Sequence, residues 1–114
     1  MTTTTPATLE LTGASRKKYA FLVYPWGTTF KPIGGVYAVT RATSNQSGGE
    51  THTIVYVGQS GDLSERFDAH HKASCFSRNS ANRICVHVES NENTRLTIES
   101  DLIAAYDPPC NDKG

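Results

Sequence analysis

No stretch of the sequence approaches the roughly 20 consecutive apolar residues that a membrane-crossing helix needs, so no such helix and no membrane partner are expected. The stretch from Met1 to Gly13 lacks the basic start and apolar run of an export signal, which points to a cytoplasmic location. No CxxC pair occurs among Cys75, Cys85 and Cys110. Three is also an odd number, so neither a structural zinc nor a disulfide frame is implied, and all three are expected as reduced thiols. Net charge is absent as well, with 11 basic against 11 acidic residues. Proteins that neutralise phosphates usually carry a basic surplus, so this balance weighs against a nucleic-acid partner unless the charges are segregated.

They are segregated along the chain. Arg66, Lys72, Arg78 and Arg83 are opposed in their stretch only by Asp68, whereas Glu89, Glu92, Glu99, Asp101 and Asp107 are opposed only by Arg95. Such clustering fits a polarised surface and equally fits solvated loops and helix faces. At 114 residues, 37% of them apolar, the chain supports one hydrophobic core and falls short of two. No internal repeat is visible.

Residues 1–18 combine a threonine run, Pro6 and Arg16-Lys17-Lys18 with few large apolar groups, which predicts a flexible arm ahead of a single domain at 19–114. Tyr19 to Tyr24 reads as a strand, stopped by Pro25-Trp26-Gly27, with Trp26 closing the core in preference to stacking on a base. Gly35 to Thr40 reads as a second strand and Thr53 to Val57 as a third, separated by polar residues with turn chemistry at Asn45 and Ser47-Gly48-Gly49. Asp62, with Glu65 three residues on, predicts a capped helix running to about Lys72. The alternation in Ile84 to Val88 predicts another strand, and a last helix should run from about Asn93 to Tyr106, stopped ahead of Pro108-Pro109. This order predicts an α/β chain of the α+β type: a small antiparallel sheet of three to four strands flanked by helices.

Charge falls on apolar helix faces at two places. At about 100° per residue, Leu96, Leu102, Ile103 and Tyr106 form a stripe with Glu99 in its middle, and a buried carboxylate there must meet a cation, a metal or a cleft. On the earlier helix Leu63, Phe67 and His70 share a face, with Arg66 on its edge. An Arg66 to Glu99 ion pair would satisfy both residues without any chemistry, and His70, Tyr37 and Tyr56 would serve equally as packing groups.

Five elements in order nevertheless resemble the GIY-YIG nuclease family, over nearly all of Gly35 to Asn111. Gly35-Val36-Tyr37 resembles its first tripeptide and Tyr56-Val57-Gly58 its second, with Val for Ile in both. Arg66 stands eight residues after Gly58, where the family places its arginine, and His70 four residues later matches a histidine of many members. Glu99, Leu102-Ile103, Pro108-Pro109 and Asn111 are similar to the closing motif. The departure is an eighteen-residue gap between the two tyrosines, about twice the usual spacing, which a lengthened hairpin at Ser47-Gly48-Gly49 would absorb.

The resemblance implies a divalent-metal-dependent endonuclease that hydrolyses phosphodiester bonds in nucleic acid, with DNA the expected substrate. Glu99 would hold one Mg²⁺, or Mn²⁺, in keeping with the lack of a second acid on its stripe. Arg66 would bind the non-bridging phosphate oxygens through its planar fork. Tyr37 would position or activate water with help from His70, and Tyr56 would bond the nucleophile or the phosphate, while Gly35, Gly58 and Asn111 support the site. A monomer or weak homodimer is expected, with room for a targeting partner. The alternative is a non-catalytic nucleic-acid-binding or adaptor module on the same scaffold.

Overall fold

The structure, a computed structural model, describes residues 7–64 and 70–111. Its elements are β1 (Ala7–Thr12), β2 (Lys18–Pro25), β3 (Gly35–Ser44), β4 (Glu50–Ser60), α1 (Ala73–Arg78), β5 (Arg83–Val88) and α2 (Glu92–Tyr106). The strands form one sheet in the order β1-β2-β5-β3-β4, and every neighbouring pair is antiparallel. The α+β architecture agrees with the reading of the sequence, but the sheet has five strands where three to four were expected.

The additional strand comes from the supposed arm. β1 pairs with β2 over its full length, and its alternation of Leu9 and Leu11 with Thr8, Glu10 and Thr12 buries Leu11 in the core. Two leucines at period two suffice for an edge strand when a neighbour supplies the ladder, and a polar threonine-rich composition conceals them. Arg16 and Lys17 belong to the hairpin turn that follows, with Arg16 at φ 74°. The Asp101 carboxylate on α2 holds that turn, accepting from the Ser15 N–H at 2.8 Å, the Ser15 hydroxyl at 2.6 Å and the Tyr19 hydroxyl at 2.8 Å. These bonds, Ser15 foremost, keep the Asp101 carboxyl below its usual range. Gly13 gives the carboxylate room, since a Cβ there would stand 2.0 Å from Asp101 Oδ2.

The two faces of the sheet carry different cores. Leu11, Phe21, Val36, Ala38, Ile54, Val57 and Cys85 pack with Ile98 and Leu102 of α2, while Tyr37, Val39, Val55, Ile84 and Val86 pack with Phe76 of α1, Leu63 and Cys110. The β3–β4 hairpin absorbs the long gap between the tripeptides as an extended ladder, closed by a turn in which Asn45 Oδ1 accepts from Ser47 N–H and Gly49 N–H.

Three further expectations are corrected. The helix placed at Asp62 to Lys72 is not present in its described parts. Asp62 instead accepts from the Ser64 N–H two residues on, a local bond that competes with helix formation. Helix α1 begins only at Ala73, and residues 65–69 lie outside the described set. Next, α2 presents Arg95, Ile98 and Leu102 to the core, with Leu96 42% and Tyr106 37% exposed, so the buried stripe is rotated from the expected one and Glu99 sits at its border. Lastly, Cys75 and Cys110 form a disulfide, their Cα atoms 5.9 Å apart. Thirty-five residues separate them, and only the docking of the carboxy-terminal segment beside α1 brings them together. Cys85 remains a buried free thiol, pushed up to about 12 chiefly by burial. No helix among the described residues is long and apolar enough to cross a membrane.

Candidate active site

Strand register sets the first two groups. Tyr37 of β3 stands opposite Gly58 of β4, and Val39 stands opposite Tyr56. Between Val39 and Thr40 the ladder shifts by one residue on β4, a bulge that lets Val55 and Tyr56 both pack on the α1 side while Ile54 and Val57 pack on the α2 side. Strict alternation would have sent Tyr56 to the opposite face from Val55. The bulge therefore puts both tyrosine rings together, with centroids 6.0 Å apart and planes inclined by 32°.

Gly58 makes that pairing possible. A Cβ on it would stand 2.6 Å from both Cζ and Oη of Tyr37 and 2.9 Å from Cε2 of Tyr56. Its role is spatial, since the Tyr37 phenol lies across the backbone at this point. Gly35 is tight for another reason: a Cβ there would come within 2.8 Å of the His87 carbonyl oxygen and of Leu63 Cδ1.

His70 closes the aromatic group on the α1 side. Its Nε2 lies 2.8 Å from the Tyr37 hydroxyl, and its ring stacks on His71 with centroids 4.4 Å apart. Burial first, then the charges of His71 and Lys72, lower its pKa to about 4. The imidazole is therefore neutral at pH 7. The Lys72 backbone N–H donates to Nδ1 at 3.0 Å, which assigns the ring proton to Nε2. His70 thus donates to the Tyr37 oxygen, and the Tyr37 hydroxyl hydrogen is directed to another acceptor.

Glu99 reaches this group from the opposite layer. β4 is an edge strand, and its outer backbone groups are taken up in sequence: Cys110 N–H donates to the Val55 carbonyl at 2.9 Å, and the Asn111 side chain bonds both N–H and C=O of Val57 at 2.8 Å. The next outward N–H, that of Gln59, donates to the Glu99 carboxylate. Burial raises the Glu99 carboxyl pKa and the Gln59 bond opposes the rise. Tyr56 is likewise raised, mainly by burial, with the Glu99 charge adding to it and a Tyr37 hydrogen bond opposing it. The Glu99 carboxylate thus lies near enough to the end of β4 for its charge to act on the Tyr56 phenol.

Of the expected residues, Tyr37, Tyr56 and His70 are in mutual contact, with Gly58 beneath the phenols and Asn111 on the strand edge, and Glu99 lies near enough for its charge to act on Tyr56. Arg66, the expected phosphate ligand, lies outside the described residues. Among the described residues no cation pairs with Glu99, and no group of three or more His, Cys, Asp and Glu is assembled to cage a metal. The half-buried Glu99 carboxylate is a hard oxygen donor, whose chemistry fits a cation that keeps several waters better than it fits zinc.

Two contributors were not visible in the sequence. Arg95, 7% exposed, donates from Nε to the Gln59 side chain at 2.9 Å and from Nη1 to the Ser90 and Glu89 carbonyls at 2.8 and 3.2 Å. It clamps the end of β4 that holds Glu99, one helical turn away on α2, and Gly34 leaves it space, since a Cβ there would stand 2.7 Å from Nη1. The spacing of Arg95 and Glu99 at i, i+4 was the available signal. The other contributor, the Cys75–Cys110 bond, had none. No protein-family model matches the chain, and neither a curated protein nor a solved structure matches it at a significant level.

Proposed function

We propose that the protein is a divalent-metal-dependent endonuclease that hydrolyses phosphodiester bonds in nucleic acid, with DNA as its substrate. The observation that carries this reading is the approach of Glu99, at the edge of β4, to Tyr56 of the Tyr37–Tyr56–His70 group. Phenols and a neutral imidazole packed on one sheet face are common core elements. A half-buried carboxylate delivered to them from the other face, with a single N–H partner and no cation among the described residues, is costly unless it is used.

In this reading Glu99 binds Mg²⁺ or Mn²⁺, which when bound supplies charge stabilisation at the phosphate and leaving oxygen. The Gln59 N–H fixes the orientation of the carboxylate. His70 holds the Tyr37 oxygen by donation, which favours the phenolate and leaves a lone pair to orient the attacking water. Tyr56 hydrogen-bonds the water or the phosphate. Arg66 supplies the guanidinium fork for the non-bridging oxygens. The protein acts as a monomer or weak homodimer, with a protein partner for targeting. A cytoplasmic enzyme would carry Cys75 and Cys110 as thiols and one in an oxidising compartment as the disulfide, so a free-thiol count on protein from its native cells assigns the location.

The test is nicking of supercoiled plasmid with Mg²⁺ or Mn²⁺, repeated on single-stranded, branched and RNA substrates. Glu99→Gln and Arg66→Ala should each lower the rate on the order of 1,000-fold, since either change removes several kcal/mol of charge stabilisation. Absence of cleavage by the wild type on every substrate, or wild-type rates in both variants, overturns the reading.

A further inference from the structure

Trp26, expected from the sequence to close the core, is 37% exposed and lines a hollow of about 270 Å³ with Ala73, Phe76, Ser77 and Ala81. A turn fixes its position. The Thr28 N–H and hydroxyl both donate to the Pro25 carbonyl, at 3.3 and 2.7 Å, and Gly27 takes the positive φ, 92°, that the reversal requires. The Trp26 N–H donates to the Asn82 carbonyl at 3.2 Å. On the α1 side the Ala81 N–H donates to the Phe76 carbonyl at 3.0 Å, so the indole and the residues it faces are both anchored by backbone bonds.

The lining selects a flat, uncharged ring. Among the described residues no ionisable side chain lines the hollow, so it holds no fixed partner for a phosphate or an ammonium group. Ala73 and Ala81 leave room beside the indole, and Ser77 adds an exposed hydroxyl. A half-exposed aromatic ring stacks on any nucleobase, and a hydroxyl can meet the polar edge of the base. The volume, near the ~300 Å³ lower bound of small-ligand sites, suits one base and falls short of a partner helix. Phe76 joins the hollow to the candidate site, with its ring centroid 5.9 Å from that of Trp26, 5.5 Å from Tyr56 and 5.1 Å from His70.

We infer that this hollow is a base-stacking subsite, in which the Trp26 indole holds an unpaired nucleobase flanking the phosphodiester to be cleaved. The inference rests on a nucleic-acid substrate, as proposed above, and not on its cleavage. It narrows the substrate class, because a base enters the hollow only after leaving its neighbours in the stack. The strand must be single at that point, as in single-stranded, branched or frayed DNA. Stacking also gives a chain of zero net charge a source of affinity that needs no basic surplus.

Trp26 is the only tryptophan of the chain, so its fluorescence reports on the hollow directly. The experiment titrates the protein, in EDTA to prevent turnover, with a short oligothymidylate and with an abasic oligomer of the same length. Trp26 emission is followed with unlabelled strands, and affinity by anisotropy of fluorescein-labelled ones across a potassium chloride series. Oligothymidylate should quench the indole and the abasic oligomer should not. Trp26→Ala should weaken oligothymidylate binding about tenfold with an unchanged salt slope, since no phosphate contact is lost, and Trp26→Phe should keep most of the affinity. Wild-type quenching is read without any variant, so it decides the matter even where Trp26→Ala folds poorly. Oligothymidylate binding without quenching, or quenching only by a phenylalanine-bearing peptide, overturns the subsite and leaves the nuclease reading standing. Quenching by oligothymidylate with no plasmid cleavage upholds the subsite and removes the nuclease reading. No binding of either strand overturns both.

Discussion

The two faces of the β4 end are built on opposite principles. On the α1 side Tyr37, Tyr56, His70, His71 and Phe76 form a layer of rings in mutual contact, and its central His70 is held neutral by burial. On the α2 side the same strand end meets a carboxylate, Glu99, and a buried guanidinium, Arg95, each satisfied by a group of Gln59. The rings contribute phenols and an imidazole, the α2 side contributes charge, and both reach the same strand end because β4 is an edge strand. An edge that would otherwise invite another strand is here covered by Cys110, Asn111 and Glu99.

The most damaging change to this arrangement should be Gly58→Ala, which disturbs the ring layer without touching any charged group. The new methyl must displace the Tyr37 ring, whose Oη and Cζ it would approach to 2.6 Å. Moving a reacting group by about 1 Å can cost ~100-fold in rate, so plasmid nicking should fall at least that far. Stability should drop by about 1–3 kcal/mol, as for other overpacked sites. Wild-type activity in Gly58→Ala would mean that the phenols need not occupy these positions.

Removing the disulfide tests how far the α1 side depends on covalent support. Closing a loop of this length restricts the unfolded chain by about 3–4 kcal/mol in the chain-entropy account, so the Cys75→Ala/Cys110→Ala double variant should lose stability of that order in urea. Loosening should be confined to the α1 side. Hydrogen exchange should rise at Val55, Val57 and α1 while the Asp101-held hairpin keeps its protection. Uniform loss of protection would show that the two faces are not separable.

The α2 side has its own support in Arg95. Replacing it with methionine keeps most of the apolar stem but strands the Ser90 and Glu89 carbonyls and the Gln59 side chain, at a cost of about 2–3 kcal/mol by thermal or urea unfolding. If the clamp also positions Glu99 through Gln59, Mg²⁺ should be needed at higher concentration for half-maximal nicking. A stability loss with an unchanged Mg²⁺ requirement would confine Arg95 to a structural role.

What the sequence disclosed follows the same division. Period-two runs and proline stops located β2, the cores of β3 and β4, β5 and α2, because each signal is local. The four chemical groups were also legible, since a carboxylate near an apolar stripe and tyrosines beside glycines stand out in the chain itself. Pairings across long separations were not. β1 becomes a strand only when β2 lies beside it, Asp62 turns the chain by a bond to Ser64 where a helix cap was expected, and Cys75 meets Cys110 only after α1 and the carboxy terminus dock. The bulge that brings Tyr56 to the side of Tyr37 is equally a property of the ladder, which no single strand records.

The smallest effect expected is a dependence on pH that belongs to the ring layer alone. His70 titrates near 4 in the folded protein against about 6.5 unfolded, so between these values the unfolded chain binds the additional proton. Stability must therefore fall as pH is lowered through that window and be insensitive to His70 above it. His52 is shifted in the same direction by burial and contributes to the wild-type slope, so the difference between wild type and His70→Asn isolates the residue. The urea midpoint of the variant should lose less between pH 7 and pH 4 than that of the wild type, with the curves converging at the acid end. Because Glu99 is shifted upward by its own burial, Glu99→Gln should change the acid dependence in the opposite sense. Its raised folded pKa contributes stability below the unfolded carboxyl value that is lost as pH rises through the folded one. Opposite signs from the two variants would show that the layers meeting at β4 titrate as distinct environments, and equal signs would merge them into one.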